Sequence, residues 1–313
     1  MPPAETPPRA VPERGSAAGF APDGGAILGV DLGGTQVRAG KVRGSAVERS
    51  AVARISGRER AEVVNGELYR TIDAVFDDEV RGIGCGVPSV VDVETGVVYG
   101  VENIPSWREV PLKADLERRY GVPAYVNNDA NAFAVGELHF GAGRGHRNLV
   151  GLTIGTGLGA GVIVDGRLYS GSHCAAGEIG AIPYREHTIE HYCAGAFFQR
   201  NAGMPGEAVY ARAQAGEPAA LALFEEFGFE LGYAVLLVLY AYDPELIVLG
   251  GSISVALPLF GGTMRERLRE YPWPHVVAAL RIAAGEVQDA GILGAAALYL
   301  DARNPDARTS AAR

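Results

Sequence analysis

The chain has 313 residues, 48% of them hydrophobic and 21% charged, with a net charge of −9 and three cysteines. That composition is globular and long enough for two domains, and an acidic balance without a basic cluster excludes nucleic acid and anionic membranes as partners. Cys85, Cys174 and Cys193 form no Cys-x-x-Cys pair and read as reduced thiols of a cytoplasmic protein, while the apolar run Ala234–Ala241 is too short to span a bilayer. Residues 1–25, rich in Pro, Ala and Gly, lack the apolar core of a secretion signal and read as a disordered tail, as do residues 304–313.

From Ala26 the pattern is a strand meander: Ile27–Leu32, Val37–Val42 and Ala46–Ile55. Val63, Val64, Leu68, Ile72, Val75 and Phe76 recur at helical spacing and predict a helix over Arg58–Asp77. Strand Arg81–Val87 ends at Pro88, and Val90–Val93 and Val97–Tyr99 flank Glu94-Thr95-Gly96 as a hairpin. After an irregular segment, Val101–Val110, come a helix at Leu112–Tyr120, a strand at Ala124–Asn127 and a helix opening near Asp129, whose carboxylate is a candidate cap.

The second half repeats the theme. Strands Asn148–Ile154 and Gly161–Val164 lead through a type I′ turn at Asp165-Gly166 into Arg167–Ser170. Helices are predicted at Ile189–Ala202, Gly206–Ala215 and Ala219–Ala241, then a strand at Leu246–Leu249 running into Gly250-Gly251-Ser252. Strand Val277–Ala283 and an Ala-rich helix, Ala290–Ala302, close the pattern.

Each half therefore carries a glycine-rich turn between two strands, Val30-Asp31-Leu32-Gly33-Gly34-Thr35 and Thr153-Ile154-Gly155-Thr156-Gly157-Leu158-Gly159-Ala160-Gly161. Without Cβ atoms such turns let backbone N–H groups close on an anion, so a pair of them fits a nucleotide's phosphate chain gripped from both sides. A dinucleotide-binding turn would open a helix, and no Walker-type Gly-x-x-x-x-Gly-Lys-Ser/Thr sequence occurs. The pattern predicts an α/β protein of two lobes, 26–122 and 123–289, with the helix at 290–303 packing back on the first and an active-site cleft between them. That is the layout of the actin-like ATPase (ribonuclease H-like) fold.

Seven motifs in order resemble one branch of that fold, the repressor/open-reading-frame/kinase (ROK) family of sugar kinases and sugar-responsive repressors. They are Asp31-Leu32-Gly33-Gly34-Thr35, Gly86-Val87-Pro88, Asn103-Ile104-Pro105-Ser106-Trp107, Asn127-Asn128-Asp129-Ala130-Asn131-Ala132, Gly155-Thr156-Gly157-Leu158-Gly159, Gly177-Glu178-Ile179-Gly180 and Leu249-Gly250-Gly251. The resemblance spans residues 26–302 and implies ATP-dependent phosphorylation of a hexose, most often glucose at its 6-hydroxyl. It implies Asp129 as general base, with Asp31 near Mg²⁺ through water. Gly33, Gly34 and Thr35 would hold one side of the phosphates, Gly155, Thr156 and Gly157 the other, and Gly250 and Gly251 the adenosine. By the same resemblance Ser89, Asn103, Asn128, Asp129, Glu178 and Glu190 line the sugar pocket, and the protein is a homodimer. These types suit the work, because phosphoryl transfer needs positioning and a proton acceptor, and a polyol presents donors and acceptors at every carbon. Standing alone, Asp129 reads as a helix cap, Asp31 as a turn aspartate, Gly250-Gly251 as a loop pair and Trp107 as either a stacking platform or a packed side chain. The apolar helix Leu221–Leu239 fits either a subunit interface or a core.

Two departures occur together. Many family members place a zinc-ligating histidine where this chain has Ala181, and a run of three cysteines where it has Tyr184-Arg185-Glu186-His187-Thr188-Ile189-Glu190, so no structural zinc is expected. The same stretch spells His187-Thr188-Ile189-Glu190-His191, the His-x-x-Glu-His order of a zinc protease, but it starts just after Pro183 and offers no obvious third ligand. Losing the histidine leaves room for a different epimer or a bulkier group, so N-acetylmannosamine, N-acetylglucosamine, mannose, fructose and allose stay open beside glucose. Three rivals are a repressor, for which residues 1–25 supply no helix-turn-helix, a filament or chaperone ATPase, and a sugar-binding regulatory protein without turnover.

Overall fold

A computed structural model of the chain describes residues 25–303, so the two tails expected at the ends lie outside the described residues, apart from Gly25. The first lobe opens with β1 (Ala26–Leu32), β2 (Gln36–Arg43) and β3 (Ala46–Arg54), followed by α1 (Ala61–Asp73) and β4 (Val80–Val87). A small sheet of β5 (Val90–Asp92), β6 (Val97–Tyr99) and β7 (Glu109–Val110) comes next, then α2 (Leu112–Tyr120) and β8 (Ala124–Asn128). From there α3 (Asp129–Phe140) leads to β9 (Leu149–Ile154), β10 (Leu158–Val164) and β11 (Arg167–Leu168). A short hairpin of β12 (Pro183–Tyr184) and β13 (His187–Thr188) precedes α4 (Ile189–Cys193), α5 (Ala196–Ala202), α6 (Gly206–Gln214) and α7 (Pro218–Tyr242). The chain then runs through β14 (Leu246–Gly250), α8 (Leu257–Arg267), α9 (Pro274–Ala279), β15 (Arg281–Ala284) and α10 (Ala290–Arg303).

The two large sheets have one plan. The first is ordered β3-β2-β1-β4-β8 and the second β11-β10-β9-β14-β15, each an antiparallel meander extended by two strands parallel to its first. Both glycine turns therefore occupy the same place, the bend between a sheet's first and second strands. β8 pairs with β4, so the first sheet runs to Asn128 and not to the expected boundary at 122. Each lobe has its own core, one around Leu68, Ile83, Trp107 and Val126, the other around Phe198, Phe224, Phe227 and Phe260.

Helices α3 and α10 lie together between these sheets, and small residues let them press in. A Cβ on Gly136 of α3 would stand 3.1 Å from the Gly294 Cα of α10. One on Gly29 or Gly84 would overlap the α10 carbonyls of Ile292 or Ala295, and one on Gly161 of β10 would overlap the α3 carbonyl of Ala130. Glu137, wholly buried on α3, ties this layer to the segment before α10: its carboxylate accepts from the N–H groups of Ala142 at 2.9 Å, Glu286 at 3.1 Å and Val287 at 3.1 Å.

Three local expectations change. The helix expected over Arg58–Asp77 is confined to α1, and the strand expected at Val277–Ala283 divides into α9 and β15. The helix expected at Ile189–Ala202 breaks between α4 and α5, because the Gly195 N–H donates to the Gly155 carbonyl at 2.7 Å and docks the break on the second glycine turn. Trp107 is wholly buried and its Nε1–H donates to Asn65 Oδ1 at 2.9 Å, so it is a packed side chain and no platform. The apolar run in α7 is core, buried from Phe224 to Leu239 along one side and packed on α8. Among the described residues no helix is long and apolar enough to cross a membrane, and all three cysteines are free and buried.

The close seating of α10 predicts that Gly84→Ala, which drives a methyl into the Ala295 carbonyl, lowers unfolding free energy by about 1–3 kcal/mol in urea titrations.

Candidate active site

The centre of the site is the junction between β8 and α3. Asn128 is the N-cap: its Oδ1 accepts from the N–H groups of Ala130 at 2.8 Å and Asn131 at 3.3 Å. The capping expected of Asp129 thus falls to its neighbour, and Asp129, the first residue of the helix, shares only the Ala130 N–H, at 2.9 Å. On the first-lobe side, Gly86 of β4 pairs in register with Asp31 of β1, and a Cβ on Gly86 would lie 3.4 Å from the Asp129 Cα. On the other side, Ala130 packs on Gly159 and Gly161 of β10. Asp129 therefore stands between the two sheets that carry the glycine turns.

Asp31 and Asp129 are both harder to ionise than free carboxylates. Burial pushes the Asp129 carboxyl up to about 7, and the negative charge of Asp31 adds to it, with a smaller contribution from Glu178. Burial also raises Asp31, whose carboxylate lies against Gly291 in the first turn of α10, and Arg38 opposes that shift. Glu178 is raised by partial desolvation and by the charge of Glu190. Four carboxylates thus share one field.

The glycine turns are braced from outside in different ways. A Cβ on Gly34 would stand 2.6 Å from the Asn103 side chain, and one on Gly157 would stand 2.9 Å from Glu190 Oε2, which also accepts from the Leu158 N–H at 3.3 Å. Gly155 differs: its φ lies outside the left-handed range and a Cβ there would meet nothing within 4 Å. Nothing inside the described chain requires a glycine at Gly155. Thr35 and Thr156 are exposed beside these turns. Gly250 and Gly251 have packing reasons of their own, since a Cβ on the first would overlap the Phe133 ring, and the second has φ +85° and sits against the Ile154 carbonyl.

Of the remaining residues singled out in the sequence, Glu178 is held by the loop around it. Gly177, with φ +94°, and Gly180 press on the β10 carbonyls of Ala160 and Leu158, leaving Glu178 exposed between them. Ser89 donates its hydroxyl to the Tyr99 carbonyl, and its own carbonyl accepts from Asn128 Nδ2 at 3.4 Å. The His-x-x-Glu-His stretch does not lie on one helix: His187 belongs to β13 and His191 to the five-residue α4, their rings stacked 3.8 Å apart. Among the described residues no three His, Cys, Asp or Glu side chains are grouped to hold a metal.

A network beneath Asp129 was not anticipated. Asn127 Oδ1 accepts from the Asn128 N–H at 2.7 Å, from Asn131 Nδ2 at 2.9 Å and from the thiol of Cys174 at 3.1 Å, and Asn127 and Asn131 are both buried. Cys174, at φ +56°, belongs to the loop that carries Glu178 yet packs into the first lobe's core. The signal in the sequence is the pair of asparagines either side of the helix start, Asn127 in β8 and Asn131 in the first turn of α3.

Fold and site together define a two-lobed, actin-like ATPase architecture with a half-buried carboxylate pair between paired glycine hairpins. Residues 27–302 match the profile described as the ROK family, and the chain belongs to that family. It is 33% identical to a glucokinase of Thermotoga maritima over 87% of this chain and 96% of that protein. It is 30% identical to a glucokinase of Streptomyces coelicolor over 90% and 99%. The fold matches a ROK glucokinase of Streptomyces griseus, solved with glucose and AMPPNP, with a TM-score of 0.77 at 29% identity, covering 88% of this chain and 99% of that one. The family also reaches regulators, among them a xylose repressor of Bacillus subtilis, 25% identical over 70% of this chain and 61% of that protein.

The raised Asp129 carboxyl carries a stability consequence. Its folded value lies above its unfolded one, so ionising it weakens the fold progressively as pH climbs through that interval, and the loss is complete above about 7. Asp129→Asn is therefore expected to raise the melting temperature by at least about 2 °C at pH 8 and by clearly less at pH 5, read by calorimetry.

Proposed function

We propose that this protein transfers the γ-phosphoryl group of ATP to a hexose hydroxyl, with Asp129 as the general base. The observation that carries the reading is the placement of Asp129, a half-buried carboxylate poised near neutrality between two glycine hairpins that present backbone to an anion. In this reading Gly33, Gly34 and Thr35 line one side of the phosphate chain and Gly155, Thr156 and Gly157 the other, where their N–H groups orient the terminal phosphate. Gly250 and Gly251 lie beside the nucleoside.

Asn103, Asn128, Glu178 and Glu190 hold the sugar by hydrogen bonds to its hydroxyls, with Ser89 behind Asn128. The reacting hydroxyl donates to Asp129, which takes its proton as the oxygen bonds to the γ-phosphorus and the bridging bond to the β-phosphate breaks, releasing ADP. Asp129 returns the proton to solvent. Mg²⁺ fits the donor set, because two half-buried carboxylates both resist ionisation there and oxygen ligands of this kind suit a hard cation. Bound with the nucleotide beside Asp31, it would offset the charge of the phosphates.

Glucose is the acceptor this reading favours, supported by the likeness to glucokinases and to the Streptomyces griseus glucokinase solved with glucose. Ala181, exposed one turn after Glu178, presents only a methyl group there and leaves room on that side. A coupled ADP-release assay over glucose, mannose, fructose, allose and the two N-acetylhexosamines is expected to show magnesium-dependent turnover of glucose. Asp129→Ala should lose at least about 100-fold in kcat on every sugar while melting as a folded protein. Absence of turnover with all six sugars, or an unchanged rate in Asp129→Ala, would overturn the assignment.

A further inference from the structure

The β12–β13 hairpin has two residues per strand and two register pairs, Pro183 with Thr188 and Tyr184 with His187. A hairpin that small is not stable by itself. It nevertheless hands the chain straight into α4, whose second residue is Glu190, so whatever fixes the hairpin also fixes Glu190 at the second glycine turn.

The fixing contact comes from its tip. Arg185, in the left-handed region at φ +52°, reaches Glu230 of α7, Nη2 to Oε1 at 2.8 Å. Glu230 is only 5% exposed, and its Oε2 has no partner among the described residues. A buried carboxylate so placed is costly unless a specific cation meets it. Around the pair, Tyr184 of the hairpin stacks on Tyr233 of α7 at 4.3 Å and meets Tyr192 of α4 edge-on at 5.4 Å. The Arg185 guanidinium lies 5.0 Å from the Tyr184 ring and 5.2 Å from the Tyr192 ring. One arginine therefore touches the hairpin, the helix bearing Glu190 and the long core helix.

We infer that Arg185 and Glu230 are positioning residues for sugar binding: their ion pair anchors the hairpin and α4 on α7 and so holds Glu190 where the acceptor is recognised. The inference rests on the proposal that Glu190 meets the sugar, and Asp129 has no part in it.

Removing one partner alone would strand a buried charge and risk the fold, so the test removes both, as Arg185→Met with Glu230→Leu. In steady-state kinetics with the best sugar of the panel, the double variant is expected to raise the sugar KM about tenfold, with kcat and the ATP KM within about twofold of native. Arg185→Lys, which keeps a charge for Glu230, should show a clearly smaller rise. Because the pair acts through Glu190, its effect should vanish in a Glu190→Gln background. A native sugar KM in the double variant, an equal loss toward ATP, or full additivity with Glu190→Gln would overturn the inference while leaving the kinase assignment standing. A native sugar KM in Glu190→Gln alone would remove the role of Glu190 itself, and the inference with it.

Discussion

Two half-buried carboxylates, Asp31 and Asp129, are the constraint around which the rest of this protein is arranged. Asp31 is the last residue but one of β1 and Asp129 begins α3, and the charge of Asp31 makes Asp129 harder to ionise. Such a pair works against folding, so it persists only where the surroundings give it no escape. Asn128 supplies the cap that Asp129 would otherwise give to α3. Gly86 and Gly291 allow backbone close to the two acids, where a Cβ on Gly291 would overlap the Asp31 carboxylate. The cost is borne by the packing of α3 and α10 between the sheets, where glycines and alanines bring helix and strand backbones together and Glu137 fastens the approach to α10.

The repeated sheet plan explains why the pair sits where nucleotide and acceptor meet. Each sheet offers a glycine bend at the same topological place, and the layer of α3 and α10 joins the sheets with Asp129 at its edge. The two bends are not equivalent. Asn103 closes on the first, whereas the second is buttressed by the α4–α5 break at Gly195 and by Glu190. Residues given to the sugar therefore touch the turns given to the phosphates, which is a direct physical route for coupling donor to acceptor. The Cys174 loop extends that route into the first lobe, since Glu178 and the core around Trp107 share one stretch of chain.

What could be read from the sequence was local. The glycine hairpins, the type I′ turn at Asp165-Gly166 with φ of 52° and 76°, and the helix at Leu112–Tyr120 depend on residues near one another, and their patterns were sufficient. What could not be read depended on distant partners. Trp107 is buried because Asn65, 42 residues earlier, accepts its N–H. The break in the helix after Cys193 exists because Gly195 finds Gly155, and the first sheet reaches Asn128 because β8 finds β4. The apolar run from Val276 to Ile282 fits a strand by composition alone, but Pro274 can open a helix there and only pairing with β14 marks where the strand begins. Similarly, His187 and His191 look like ligands on one helix until the hairpin turn places them on different elements. In the site, residue types were legible from motif order, while the division of labour between Asn128 and Asp129 required the helix start itself.

The central claim is that Asp129, held near neutrality by burial and by Asp31, takes the proton of the acceptor hydroxyl. The most direct measurement is the pH dependence of kcat/KM for the sugar at saturating MgATP between pH 5 and 9, which reports the ionisation of the free enzyme's base. The account predicts an acid limb with an apparent pKa near the value of about 7 at Asp129, falling about tenfold per pH unit below it. A rate independent of pH down to 5 would contradict it.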